Sequence, residues 1–319
     1  ITRGQWGISQ DNTGRLYYNS NSDPLRYDAI PASYLKRHPS FAARGANIPL
    51  VPATLRVWPG RITTGINRGY KTLDDDGRMY FVTAACGPVV YRGTLFPAEF
   101  QGDAFIAEPC GNLIKRIQLT ERDGALLGAN AYEVTEFLTS TDERFRPLNL
   151  YNAPDGALWV VDFYRGLIQE REFITTYLRR QIEARGLERP IGLGRIWRIV
   201  PDGTPRTAPA PNLARATPGE LVRALDDANG WTRNTAQRLL VEKRLAAGMP
   251  AVAAALRTLA TEASTPLGRL HALWTLDGSG VLDRSTVVAG LSDPDERVAA
   301  AAFFEARGVA APAPAQETQ

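Results

Sequence analysis

The chain changes its grammar once, and that single change limits what it can fold into. Around residues 201–215 it turns proline-rich and loses all periodicity, running from Pro201-Asp202-Gly203-Thr204-Pro205 to Ala208-Pro209-Ala210-Pro211, which is linker chemistry. Before that stretch, residues 1–200 are written in short β-branched and aromatic runs punctuated by Gly, Pro, Asn and Asp. After it, residues 216–308 are rich in Ala, Leu and Arg at helical spacing, and residues 309–319 form an Ala/Pro-rich tail expected to be disordered. The expected fold class is therefore multi-domain, β followed by α.

Composition narrows the function classes. The chain has 319 residues, 44% hydrophobic and 22% charged, ordinary values for a soluble globular protein. A formal net charge of +3 is too small to argue for nucleic acid or an anionic membrane as partner. No apolar run reaches the roughly 18 residues a membrane span needs. The sequence opens on Ile1 with no charged-then-apolar leader, so either a removed signal peptide or a truncated piece is expected.

In the β half one phrase recurs: a strand, a turn ending in Gly, a second strand, a polar break and a third strand. Trp6-Gly7-Ile8-Ser9 leads through Asp11-Asn12-Thr13-Gly14 to Arg15-Leu16-Tyr17-Tyr18. Pro88-Val89-Val90-Tyr91 leads through Gln101-Gly102-Asp103 to Ala104-Phe105-Ile106-Ala107, then to Leu113-Ile114-Lys115-Arg116-Ile117. Pro147-Leu148-Asn149-Leu150 leads through Pro154-Asp155-Gly156 to Ala157-Leu158-Trp159-Val160-Val161. Gly supplies the positive φ such turns require, and repetition of the phrase favours a propeller over a sandwich or barrel. The third unit carries an insertion at about 170–190. There, residues 171–186 read as an amphipathic helix with Ile174, Leu178 and Ile182 on one stripe, before the strand Gly194-Arg195-Ile196-Trp197-Arg198-Ile199 resumes. In the α half, Arg233, Arg269 and Arg297 mark three helix starts, each with Ala three positions on. That spacing is near the range of HEAT-like repeats, with an irregular helical bundle as the alternative.

The phrase Cys86-Gly87-Pro88-Val89-Val90-Tyr91-Arg92-Gly93, with Gly102-Asp103-Ala104-Phe105-Ile106-Ala107-Glu108 after it, resembles a blade of glucose/sorbosone dehydrogenase-type propellers. Pro154-Asp155-Gly156-Ala157-Leu158-Trp159-Val160, closing on residues 194–199, is similar to that family's last blade. More narrowly, Tyr18-Asn19-Ser20-Asn21-Ser22-Asp23 and Asp162-Phe163-Tyr164-Arg165-Gly166 resemble secreted "membrane-bound dehydrogenase" or PVC-type haem-binding proteins. Those join such a propeller to HEAT repeats and a c-type cytochrome domain. The resemblance implies a partial six-bladed-type β-propeller followed by α-helical HEAT-like repeats, in a periplasmic or secreted protein. It also implies a quinone (PQQ) with Ca²⁺ as cofactors, a carbohydrate or alcohol as substrate, and electron transfer to a cytochrome domain. No C-x-x-C-H motif occurs, so no haem is expected within this chain. Residues 1–200 supply too few strands for six blades, so the chain is expected to be a piece of a longer protein. The family's catalytic His has no counterpart: His38 and His271 sit in no matching motif, and no catalytic residue is assigned. The alternative is a glycan- or protein-binding module without turnover.

Propeller geometry sorts the polar residues. Loops between second and third strands and the segments entering first strands share one face of the disc, which gathers Asn19, Asn21, Asp23, Arg26, Glu108, Arg146, Asp162, Tyr164 and Arg165 on one rim. Such a ring suits bidentate hydrogen bonds to a polyhydroxylated substrate, or arginine forks on an acidic quinone. It equally suits backbone capping alone. No metal-ligand spacing is present, so no metal site is assigned from the residues themselves. Cys86 and Cys110 arrive on the same rim, which favours a disulfide, with two reduced thiols as the alternative. Asp74-Asp75-Asp76-Gly77 reads as a solvated turn rather than a metal loop, and Trp58 and Trp231 as packing residues.

Overall fold

The computed structural model describes residues 5–30, 46–67, 72–204 and 210–306. His38 and the tail at 309–319 lie outside the described residues, as do residues 205–209 of the proline-rich stretch. Two compact units result, Ile1–Thr204 and Pro205–Gln319, the first built of sheets and the second of helices.

The first unit contains three antiparallel meanders. Sheet A runs β1 (Gln5–Gln10), β2 (Leu16–Ser20), β3 (Asp23–Asp28), β4 (Asn47–Pro49). Sheet B runs β5 (Cys86–Val90), β6 (Ala104–Glu108), β7 (Leu113–Arg122), β8 (Ala125–Asn130), with the short β9 (Leu138–Thr139) also on β7. Sheet C runs β10 (Pro147–Asn152), β11 (Leu158–Asp162), β12 (Arg195–Ile199). The first two strands of every sheet are joined by a turn that closes on a left-handed glycine: Gly14, Gly102 and Gly156, at φ 81°, 82° and 82°. A side chain is strained there, so the recurring Gly marks the same structural position three times.

The sheets pack through their first strands, with β5 lying against both β1 and β10. Each of the three first strands has an irregular register near its start, between Gln5 and Ile8, Cys86 and Val89, and Pro147 and Asn149. These bulges bend the strands where they meet. A Cβ on Gly7 would stand 2.5 Å from the Gly87 Cα, and one on Gly87 would stand 2.1 Å from Asn149 Oδ1. Backbone-to-backbone approach therefore sets residue type at the junction. β5, β6 and the first half of β7 are covered on both faces, which explains their unbroken burial. Ala104 and Ile106 enter the core shared with Tyr17, Leu25 and Val57, while Phe105 and Ala107 enter the one shared with Leu150, Leu158 and Val160. Filling each core with one such large side chain contributes about 1.5–3 kcal/mol.

Sheets A and C each leave apolar groups uncovered, including Ile8 on β1 and Tyr151 and Ile196 on sheet C. The three sheets do not close into a barrel or propeller, which corrects the closed-disc geometry used to sort the rim. The insertion in sheet C is also shorter than the residue pattern predicts. A 3₁₀ turn at Arg171–Phe173 precedes α1 (Thr176–Arg185), which Thr175 caps and left-handed Gly186 ends. Leu178 and Ile182 are its buried stripe, and Ile174 lies before the helix.

The helical unit comprises α2 (Pro218–Ala224), α3 (Gly230–Glu242), the single turn α4 (Leu245–Gly248), α5 (Pro250–Glu262), α6 (Pro266–Gly278), α7 (Arg284–Leu291) and α8 (Glu296–Glu305). Helices α2, α5 and α7 neighbour one another in one layer, and α3, α6 and α8 in a second, with one core between them that includes Leu240, Leu256, Leu273 and Val298. Side-chain caps set the starts: Thr217, Asn229, Thr265, Asp283 and Asp295 each accept a first-turn amide. The predicted starts at Arg233 and Arg269 are corrected by this, because the caps at Asn229 and Thr265 open those helices one turn earlier. No described helix is long and apolar enough to cross a membrane.

Candidate functional site

Three polar residues stand at the ends of the second strands: Asn19 on β2, Glu108 on β6 and Asp162 on β11. All three are buried, and each is engaged by the segment entering a first strand. Asn19 Nδ2 donates to the Cys86 carbonyl at 3.0 Å. Glu108 Oε2 accepts the amides of Thr83 and Ala84 at 3.1 and 2.9 Å, and Oε1 accepts that of Cys110 at 3.0 Å. Asp162 Oδ1 accepts the amides of Arg146 and Tyr164, both at 2.8 Å, and Oδ2 accepts Trp197 Nε1 at 3.0 Å. Burial pushes the Glu108 carboxyl up to about 7, against the amides of Ala84, Thr83, Cys110 and Gly111, which pull it down.

Arg146 completes this junction. Buried at 5% exposure, it donates from Nε to the Arg165 carbonyl at 2.8 Å, from Nη1 to Pro109 at 2.7 Å and from Nη2 to Gly166 at 2.9 Å. It thereby ties the turn after β6 to the loop after β11, and burial pulls its guanidinium below the usual range. The other predicted residues lie farther out. Arg26 joins Asp23 and Asn47 within sheet A, and Asn21 accepts Trp6 Nε1 at 2.7 Å.

The predicted disulfide is absent: Cys86 and Cys110 are free thiols. Register explains it. Cys86 faces Ala107 across the β5–β6 ladder, whereas Cys110 lies beyond Glu108 in the following turn, its amide held by that carboxylate. Burial, then the Glu108 carboxylate, raises both thiols, Cys110 to about 11, so neither is an activated nucleophile.

What remains accessible is an aromatic–arginine group beside β11 and β12. Tyr164 adopts a left-handed conformation, φ 49°, uncommon for an aromatic residue. The Arg195 guanidinium stacks 3.8 Å from its ring centroid and 5.5 Å from that of Trp197, while Arg165 lies 5.5 Å from Phe163. The residue pattern puts Tyr164 and Arg165 in the rim but does not single out Arg195 and Trp197. Their alternation in β12 was the available signal.

The rim does not fit the quinone and Ca²⁺ that the resemblance implies. A carboxylate offers about four acceptor sites, and amides take all of those on Glu108 while three donors occupy Asp162. Arg146 is committed to carbonyls, and no group of three His, Cys, Asp or Glu side chains gathers among the described residues. His271 is buried in α6, with Nδ1 2.6 Å from Gln237 Oε1.

A family model described as a domain of unknown function, DUF7133, matches residues 1–203. The chain belongs to that family. No curated protein matches the chain. Among solved structures, it is similar to an oxidoreductase described as a glucose dehydrogenase from Thermus thermophilus, at 18% identity and a TM-score of 0.25. That match covers 53% of this chain and 41% of the other, so this chain spans less than half of that protein's length. Likeness at this level carries no argument about activity.

Proposed function

We propose that the chain is a binding and scaffolding part of a dehydrogenase-like propeller protein, one that holds a carbohydrate at its rim and does not itself oxidise it. In this reading the three meanders are propeller-type blades and the helical layers are HEAT-like repeats. The uncovered faces bearing Ile8, Tyr151 and Ile196 support the first part, since apolar sheet faces of this kind are ordinarily covered. The extracytoplasmic setting and a cytochrome partner rest on the family resemblance alone, and the free thiols lend them no support.

One observation carries the functional reading. The buried rim groups Asn19, Glu108, Arg146 and Asp162 hold main chain, while the strained Tyr164 presents its ring with Arg195 and Trp197 beside it. Aromatic faces and planar guanidinium forks suit the apolar faces and paired hydroxyls of a sugar. Saturation-transfer NMR with a panel of oligosaccharides tests this. Binding that disappears in Tyr164→Ala and Arg195→Ala is expected. Dye reduction by the protein with PQQ, Ca²⁺ and any sugar of the panel would replace this reading with the dehydrogenase.

A further inference from the structure

Five Asp-Gly pairs and one Asn-Gly pair stand in the sequence, beginning at Asp76, Asp123, Asp155, Asp202, Asp277 and Asn229. The pairing matters because glycine has no side chain to keep its main-chain nitrogen away from the carbonyl carbon of the preceding side chain. Whether the glycine amide is engaged, and whether there is room around it, separates the six. Gly77 and Gly156 donate their amides to the carbonyls of Asp74 and Ala153, at 2.9 and 3.0 Å. Gly278 lies in the last turn of α6. A Cβ on Gly77, Gly156 or Gly278 would run into Ile62, Thr94 or Val241, respectively. Asp155 is also held by Arg198. Asn229 is only 5% exposed, and its Oδ1 accepts the Trp231 amide at 3.0 Å.

Two pairs are open. Asp123 and Gly124 form the whole turn between β7 and β8, since Arg122 pairs with Ala125, and φ values of 52° and 75° make it the tight, primed kind of hairpin turn. The Asp123 side chain is 95% exposed, and among the described residues its carboxylate meets Arg122 alone, at 3.9 Å. Asp202 and Gly203 form an exposed turn after β12. Neither Gly124 nor Gly203 gives its amide to a described acceptor, and a Cβ on either would meet nothing within 4 Å. We infer that Asp123 and Asp202 are sites of spontaneous isoaspartate formation in the folded chain, and that the fold protects the other four positions. In this step the glycine nitrogen bonds to the aspartate Cγ, the Cγ–OH bond breaks, and the amide proton leaves with that oxygen as water. Water then adds to either carbonyl of the resulting succinimide. Opening at the main-chain carbonyl reroutes the chain through the side-chain carbons and frees an α-carboxylate, so the net change is an isomerisation that needs no oxidant or reductant. At Asp123 the product puts an extra carbon into a two-residue turn, and turn length sets hairpin register. The pairs Arg122–Ala125 and Glu121–Leu126 are the first it strains. Glu121 meets Arg15 of sheet A at 2.7 Å, and Leu126 enters the core shared with that sheet.

The inference does not rest on the rim reading. Its test is to age the whole chain in neutral buffer beside a sample kept unfolded in urea, then map isoaspartate by electron-transfer mass spectrometry of the peptides. The urea sample is the clock: ageing continues until it has converted at all six positions. In the folded sample isoaspartate is expected at 123 and 202, with Asp76, Asp155, Asp277 and Asn229 left unconverted. Asp123→Glu should lose the signal at 123 and keep that at 202, because glutamate would have to close a larger ring. That variant retains the fold, since the side chain it replaces is exposed. Amide protection along β7 and β8 should fall in the aged wild type and hold in aged Asp123→Glu. Conversion at any of the four protected positions as fast as at the two turns would overturn the inference. So would an unconverted Asp123 or Asp202 in the folded sample.

Discussion

The two units differ in how many charges they bury. In the sheet unit, charged groups are buried where sheets and loops meet: Lys115 with Glu136 at 1% side-chain exposure each, Arg116 with Asp103, Glu108 on amides and Arg146 on carbonyls. In the helical unit the apolar core is almost wholly Ala, Leu and Val; Arg233 is buried on the carbonyls of Asp227 and Ala228, and acidic residues sit at loop corners, where Asp283 and Asp295 cap helices and Asp293 joins Arg269. The cause is topological. Helices satisfy their own main chain except at the ends, whereas bulged strands and long loops leave amides and carbonyls that side chains must satisfy. A polar residue in the sheet unit is therefore more often structural than its letter implies.

The largest expected effect breaks that comparison at Lys115. Lys115→Met leaves Glu136 charged and buried, and about 3–5 kcal/mol of stability should be lost in urea unfolding; a loss under about 1 kcal/mol would deny the pair its structural role. Next, Leu273→Ala in α6 should lower stability by about 2–5 kcal/mol through the cavity it opens, independently of salt. Arg269→Ala removes a pair with Asp293 that is only 11% and 6% exposed, with two parallel contacts at 2.6 and 2.9 Å. The expected loss is about 1–2 kcal/mol, reduced by added salt.

The smallest effect sharpens the comparison by its sign with pH. Glu108, raised by burial to about 7 from an ordinary 4.5, binds its proton more tightly when folded. Its contribution is present below about 4.5 and lost as pH rises through about 7. Asp295, lowered to about 2 from 3.8 chiefly by its hydrogen bond with Arg297, contributes above about 3.8 and loses that as pH falls through about 2. Its partner Arg297 is 46% exposed, so screening holds the contribution of the pair below about 1 kcal/mol. Melting curves of Glu108→Gln and Asp295→Asn across pH 2–8 should each lose the matching limb of the wild-type profile. Loss of the opposite limb would contradict the assignment.

Much of the architecture was legible in the residues. Turns ending at Gly14, Gly102 and Gly156 predicted repeated strand pairs, because few other residues tolerate their backbone. The start of α3 was not, because Arg233 looked like a marker while the cap is Asn229, four residues before it. The cysteine pairing failed for a finer reason: proximity to one rim does not fix register, and Glu108 intervenes. Residue types at the candidate site could be read, but their partners could not. A carboxylate that caps amides and one left open to solvent are the same letter, and only the loop path separates the buried Asp162 from the exposed Asp76.

The central claim is that the buried rim carboxylates hold main chain. Native-state hydrogen exchange measures this at the atoms concerned, the amides of Thr83 and Ala84 beneath Glu108 and those of Arg146 and Tyr164 beneath Asp162. In Glu108→Gln the first pair should lose protection while the second keeps it, and Asp162→Asn should do the reverse. Protection unchanged at both pairs in both variants would contradict the account and return these carboxylates to the candidate ligand-binding rim.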